Sequence, residues 1–164
     1  MERFEDVVRQ HQSMVFSLAY HFLRNRAWAE DLAQDVFLNL HQNIHRLESP
    51  AHVMFWLRRV TSNRCIDESR RRKLRPRLSL EDVPEPVAKS TARDPMLAAT
   101  LQKLVATLPE KARLVVLLRY QEDLEPVEIA AVLEMPVSTV KSHLHRSLGI
   151  LRAKLERSRR EVSI

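Results

Sequence analysis

The chain has 164 residues, one glycine, eight prolines and one cysteine, with a formal net charge of +6. So little glycine, with no Asn-Gly pair, speaks against sheets joined by tight hairpins. The lone Cys65 excludes a disulfide framework and a thiolate zinc site, and the basic balance points to a polyanionic partner.

The elements follow in chain order. Phe4, Val7, Val8, His11, Val15, Leu18, Ala19 and Phe22 recur at helical spacing and predict a first helix from about Glu2 to Leu23. Ala29, Leu32, Ala33, Val36, Phe37 and Leu40 predict a second. Ser49-Pro50 reads as a cap followed by a first-turn proline, opening a third helix with Val53, Trp56, Leu57 and Val60 on its buried stripe. From Leu74 to Arg93 the periodicity stops and three prolines intervene, so this stretch reads as a flexible linker. Fully extended, it would reach roughly 65 Å. Asp94-Pro95 repeats the cap-plus-proline signal and predicts a helix to about Thr107. Leu108-Pro109 opens the next, carrying Leu114, Val115, Leu117, Leu118 and Tyr120. Pro126 opens a short one with Ile129, Ala130 and Leu133, and Met135-Pro136 a long one with Val140, Leu144, Leu148, Leu151 and Leu155 in one stripe. The fold class is all-α, with two small helical domains at 1–73 and 95–164 joined by a linker at 74–94.

Charge is unevenly distributed. Between Arg58 and Arg77, nine Lys/Arg oppose Asp67 and Glu68, a balance of +7; between Ser138 and Arg160, seven oppose Glu156, a balance of +6. Glu30, Asp31 and Asp35 give the short run 29–35 a charge of −3. In the second predicted helix, Asp31, Gln34, Asp35 and Leu38 fall on the face opposite the apolar stripe. Such a stripe is either a solvated face or a docking surface for a basic, partly apolar protein. The segment from Pro126 to Leu148 has the form of a helix-turn-helix, with Ile129, Leu133, Val140 and Leu144 for a shared core. Ser138, Thr139, Lys141, Ser142, His145 and Arg146 are then the candidate duplex contacts of its second helix. A generic helical hairpin with a basic face fits the same spacing.

The run Glu128-Ile-Ala-Ala-Val-Leu133 with Pro136-Val-Ser-Thr-Val-Lys-Ser-His-Leu-His-Arg146 resembles region four of bacterial sigma factors, and Leu108-Pro109 with Arg113 resembles the preceding helix of that region. Ala29-Glu-Asp-Leu-Ala-Gln-Asp-Val-Phe-Leu38 resembles sigma region two, and Trp56-Leu57, Asn63, Asp67 and Arg70-Arg71-Arg72 are similar to that family's next helix. The absence of a middle domain points to the extracytoplasmic-function (ECF) group of the sigma-70 family. The resemblance implies a promoter-recognition subunit rather than an enzyme. Asp31, Gln34, Asp35 and Leu38 would bind core RNA polymerase. Arg58, Arg59, Asn63, Arg64, Asp67, Arg70 and Arg71 would face the minus-ten element of promoter DNA, and the second helix of the helix-turn-helix the minus-thirty-five element. A loop at about Asn43 to Ser49 would receive a flipped base, with nearby cations offsetting the unstacking. An anti-sigma protein is implied as a further partner. Two residues depart from the family pattern: Glu134 stands in the turn where glycine is usual, and His143 where arginine is common.

Other constellations carry less. His41 and His45 read as surface histidines without a third ligand, so no metal site or other cofactor is expected. Cys65 reads as an inert small side chain and Trp56 as core. No phosphate-binding glycine loop, nucleophile–base pair or small-molecule substrate site is apparent. The charged N-terminus lacks the apolar core of a signal peptide, and no apolar run is long enough to span a bilayer, which predicts a cytoplasmic protein without direct membrane insertion. A stand-alone helix-turn-helix regulator and a helical RNA- or protein-binding adaptor are the competing readings; neither needs the acidic stripe.

Overall fold

The computed structural model describes residues 3–74 and 94–162; the predicted linker, apart from Leu74 and Asp94 at its ends, lies outside them. Local rules place the helix boundaries. Helix α1 (Phe4–Leu23) ends where Arg24 turns left-handed at φ 57° and its N–H donates to the Tyr20 carbonyl. Asn25 then caps α2 (Arg26–Asn43), its side chain accepting the Trp28 N–H at 3.0 Å. A single 3-10 turn, Ile44–Arg46, extends α2, so the predicted Asn43–Ser49 loop is irregular only from Leu47 onward. Ser49 caps α3 (Pro50–Leu74): its Oγ accepts the His52 N–H at 3.1 Å. Asp94 does the same for α4 (Pro95–Val105), accepting from Met96 and Leu97. Helix α5 (Glu110–Tyr120) follows Pro109, and α6 (Pro126–Leu133) begins at its own proline. Helix α7 (Val137–Val162) completes the described chain, in which no residue is in a strand.

The helices form two compact units. In the first, α1, α2 and α3 pack on one another. Val15, Leu18 and Phe22 of α1, Leu32, Val36 and Leu40 of α2, and Val53 and Leu57 of α3 make its core. The α3 stripe departs from expectation. It continues through Thr61, Ser62 and Cys65, all fully buried, while Trp56 and Val60 are partly exposed. With α1 and α2 both against it, α3 buries an arc wide enough to enclose small polar residues, whereas a bulky Trp56 extends past the arc's edge. The hydroxyls of Thr61 and Ser62 have no hydrogen-bond partner. Arg72 lies 3.9 Å over the Trp28 ring while its Nε donates to Glu68 at 2.7 Å, which fastens the end of α3 to α2.

In the second unit, α5 is the central helix: Ala112, Leu114, Val115, Val116, Leu117 and Leu118 are all buried. It ends at Tyr120, which is exposed. Leu108, Ala112, Val116 and Leu151 cluster, with Leu104 and Val105 of α4 against them. Arg113 donates to the Leu108 carbonyl at 3.0 Å, supplying an acceptor at the α4–α5 turn with its partner. Ile129 and Ala130 of α6 and Val140 of α7 are buried as well. Leu148 is 40% exposed, and Ser147, 1% exposed, takes the inner position predicted for it.

Candidate polymerase and nucleic-acid interfaces

The predicted acidic stripe is intact on α2. Asp31, Gln34, Asp35 and Leu38 are all exposed on the face opposite buried Leu32, Val36 and Leu40. Leu38 stands out at 61% exposure. An exposed leucine flanked by carboxylates and an amide is the composition of a small docking surface, apolar at the centre and polar at its rim.

The basic residues of α3 divide into two sets that sequence reasoning treated as one. Arg59, Asn63, Asp67 and Arg70 follow one another at helical spacing on the outer face, with partly exposed Trp56 in the same row. Arg58 lies on the other side of α3, half-buried. Arg64 and Arg71 are rotated toward α2 and, with Asp67 at the edge of the outer row, line a groove there together with Asp31 and Asp35. The acidic stripe and the basic helix are therefore neighbours. A ligand on either wall of this groove meets both signs of charge, and the two arginines temper the field of the carboxylates. Arg72 is withdrawn from the surface by its contacts with Trp28 and Glu68.

The helix-turn-helix forms as read. Glu134 occupies the turn at φ 54°, the left-handed conformation that glycine adopts without strain. The departure from glycine changes the cost of the turn and leaves its shape in place. Pro136, just before α7, has no side-chain acceptor to cap that helix, and its carbonyl accepts the N–H groups of Thr139 and Val140. On α7, Ser138, Ser142 and His145 run down the centre of the outer face, with Lys141 and Arg146 on its two flanks. All five are exposed, and Thr139 is half-buried at the edge. Small hydroxyls in the middle and cations at either side suit a helix lying between two phosphate ridges.

His143 does not belong to that outer face. It is half-buried beside that face. Burial, then the charges of Arg146 and of Lys111 on α5, hold its imidazole below the ordinary histidine value. Lys111 is exposed in the first turn of α5; nothing in its local pattern marks it, because its relevance depends on α5 packing against α7. The His41 ring packs edge-on against Phe4, and the described residues contain no group of three or more metal-ligating side chains. Cys65 is buried, and no described helix is long and apolar enough to cross a membrane.

Comparison with known proteins matches both units. The family model of Sigma-70 region 2 matches residues 7–75, and that of Sigma-70, region 4 matches residues 98–151. The ECF RNA polymerase sigma factor SigW of Bacillus subtilis is 30% identical, over 94% of this chain and 89% of the relative. SigM of Mycobacterium tuberculosis, another ECF RNA polymerase sigma factor, is 32% identical over 94% and 76%. Among solved structures, the sigma factor RpoE of Bartonella quintana, crystallised with the anti-sigma factor NepR, superposes with a TM-score of 0.77 at 19% identity, covering 93% of this chain and 96% of that one. CnrH, solved with the cytosolic domain of CnrY, gives 0.68 at 22% identity, over 93% and 87%. At these identities the structural likeness speaks to the fold.

Proposed function

The chain belongs to the ECF sigma factors of the sigma-70 family, and from that premise we propose how its surfaces divide the work of promoter recognition. Asp31, Gln34, Asp35 and Leu38 dock on core RNA polymerase. Arg58, Arg59, Asn63, Arg64, Asp67, Arg70 and Arg71 serve the minus-ten element, with the outer row centred on Asn63 nearest the bases and Arg64 and Arg71 steering the backbone. Ser138, Thr139, Lys141, Ser142, His145 and Arg146 read the minus-thirty-five element. Residues 1–73 and 95–164 are the two working domains, with 74–94 between them. The protein contributes recognition and no catalytic step, and it acts in the cytoplasm.

One observation carries this reading. A single exposed face of α2 bears three polar groups and Leu38, whereas a regulator that acts on DNA alone needs no such face. An anti-sigma protein is a further expected partner, since two structural neighbours were solved in complexes, one of them with an anti-sigma factor by name. Run-off transcription with bacterial core polymerase on a pooled promoter library tests the whole. Start-site-specific transcripts that depend on this protein are expected. Their absence, with a core shown active under another sigma factor and with polymerases from several bacteria, would overturn the proposal.

A further inference from the structure

The outer row of α3 does not begin at Trp56. His52 lies eighteen residues before Arg70, which is about five turns of α-helix, so the two share one line along α3 with Arg59 and Asn63 between them. His52 is exposed and stands on the side of α3 opposite the buried Leu57, Thr61 and Cys65. Its ring is also held in place. The backbone N–H of Glu48 donates to His52 Nδ1 at 3.3 Å, while the His52 N–H donates to Ser49 Oγ at 3.1 Å. The pair of bonds is a capping box that reaches back one residue further than usual. Such a box needs only an acceptor, which glutamate or glutamine supplies on a flexible stem. Histidine adds a rigid ring with a second nitrogen. Because Nδ1 accepts, the hydrogen of the neutral ring sits on Nε2. The two nitrogens lie on different sides of the ring, so fixing Nδ1 to the loop aims the Nε2 hydrogen away from it. No hydrogen bond among the described residues uses that donor.

We propose that His52 Nε2 donates to an acceptor atom on a base of the minus-ten element, which makes His52 a further specificity-determining residue of α3. This rests on the reading of the outer row as the surface nearest the bases, and it extends that row by one helical turn toward the loop. The direction of the donor is set before the DNA arrives, so little side-chain freedom is lost on binding. A base that offers a hydrogen at that point, in place of an acceptor, leaves two donors facing each other. The contact therefore discriminates between bases and, being neutral, releases no counter-ion.

The test is promoter binding by the full chain assembled with core polymerase. The DNA is a fragment recovered from run-off transcription, a panel in which each base of its minus-ten element is replaced in turn, and a copy with that element scrambled. The variants are His52→Ala, His52→Gln and His52→Glu, with Asn63→Ala as an internal reference. Circular dichroism verifies that each is folded, and a pull-down that polymerase captures it. Losing one neutral hydrogen bond should weaken binding to the recovered fragment about fivefold. His52→Ala is expected to do this and to lose the base preference at one position of the panel. It should leave the scrambled copy, and the slope of log K against log salt, unchanged. His52→Gln keeps both an acceptor and a donor and should bind like the wild type, whereas His52→Glu keeps only the acceptor and should not. If Asn63→Ala weakens binding and His52→Ala does not, the extension to His52 is wrong and the minus-ten reading of α3 stands. If neither weakens it, both fall. An equal loss on the scrambled copy, or a flattened salt slope, would assign the contact to the backbone and overturn the base contact. A His52→Glu that binds like the wild type would reduce His52 to a cap and overturn it as well.

Discussion

His143 illustrates how one side chain reports its surroundings. Partial burial, Arg146 and Lys111 all disfavour its protonated form, so the folded chain binds that proton less readily than the unfolded chain does. The stabilising contribution is complete above the unfolded value near 6.5 and is lost as pH falls through the lower folded value. Between about pH 7.5 and 5, His143→Gln should therefore lose less stability than the wild type in urea titrations followed by circular dichroism. Equal losses would assign the acid sensitivity to other groups. Glu134 tests a different residue-scale cost. A left-handed φ of 54° strains any side chain with a Cβ, so Glu134→Gly should raise stability by about 1 kcal/mol even though glycine gains freedom when unfolded. A lowered urea midpoint would mean that the glutamate side chain contributes more than its backbone costs.

At the scale of the element, α7 contains the chain's one glycine in mid-helix, at 149, on the row that runs through Ser138, Ser142 and His145. A Cβ built there meets nothing within 4 Å. Gly149→Ala should accordingly stabilise the helix by about 1 kcal/mol through propensity alone. Thermal unfolding and duplex binding together decide what the glycine is for. Higher stability with unchanged affinity makes it incidental, whereas higher stability with weaker binding shows that DNA approaches the bare backbone. The helices themselves were largely legible in the sequence because their boundaries depend on local chemistry. Ser49, Asp94 and the prolines at 50, 95, 109 and 126 mark starts that any neighbour would respect. Helix phase was less legible where packing decides it. Ser147 is buried in place of Leu148, and Thr61 and Ser62 in place of Trp56 and Val60, because close crossings favour small side chains over apolar ones. The candidate site shows the same division. Exposure of the α2 and α7 faces followed from periodicity, but the turn of Arg64 and Arg71 toward Asp31 is a property of a helix pair.

For the whole molecule, the functional assignment separates two activities by charge sign. Asp35→Arg inverts one charge of an exposed acidic stripe without touching the core, so it should abolish capture by core polymerase in a pull-down while duplex binding stays the same or tightens. Lys141→Glu should weaken duplex binding and leave polymerase capture intact. Both should eliminate protein-dependent run-off transcripts, and a variant that failed in both binding assays would contradict the separation. Cys65 offers a way to watch this system without altering it. Because its Sγ is enclosed by the α1–α3 core, a thiol-specific dye has no target on the folded chain, and modification must wait for that unit to open. A fluorophore can thus be attached at a cysteine introduced on the surface of α2 or α7 with the native thiol left in place. The slow labelling of Cys65 then becomes a clock for the opening of the first unit, one that polymerase binding to α2 should slow.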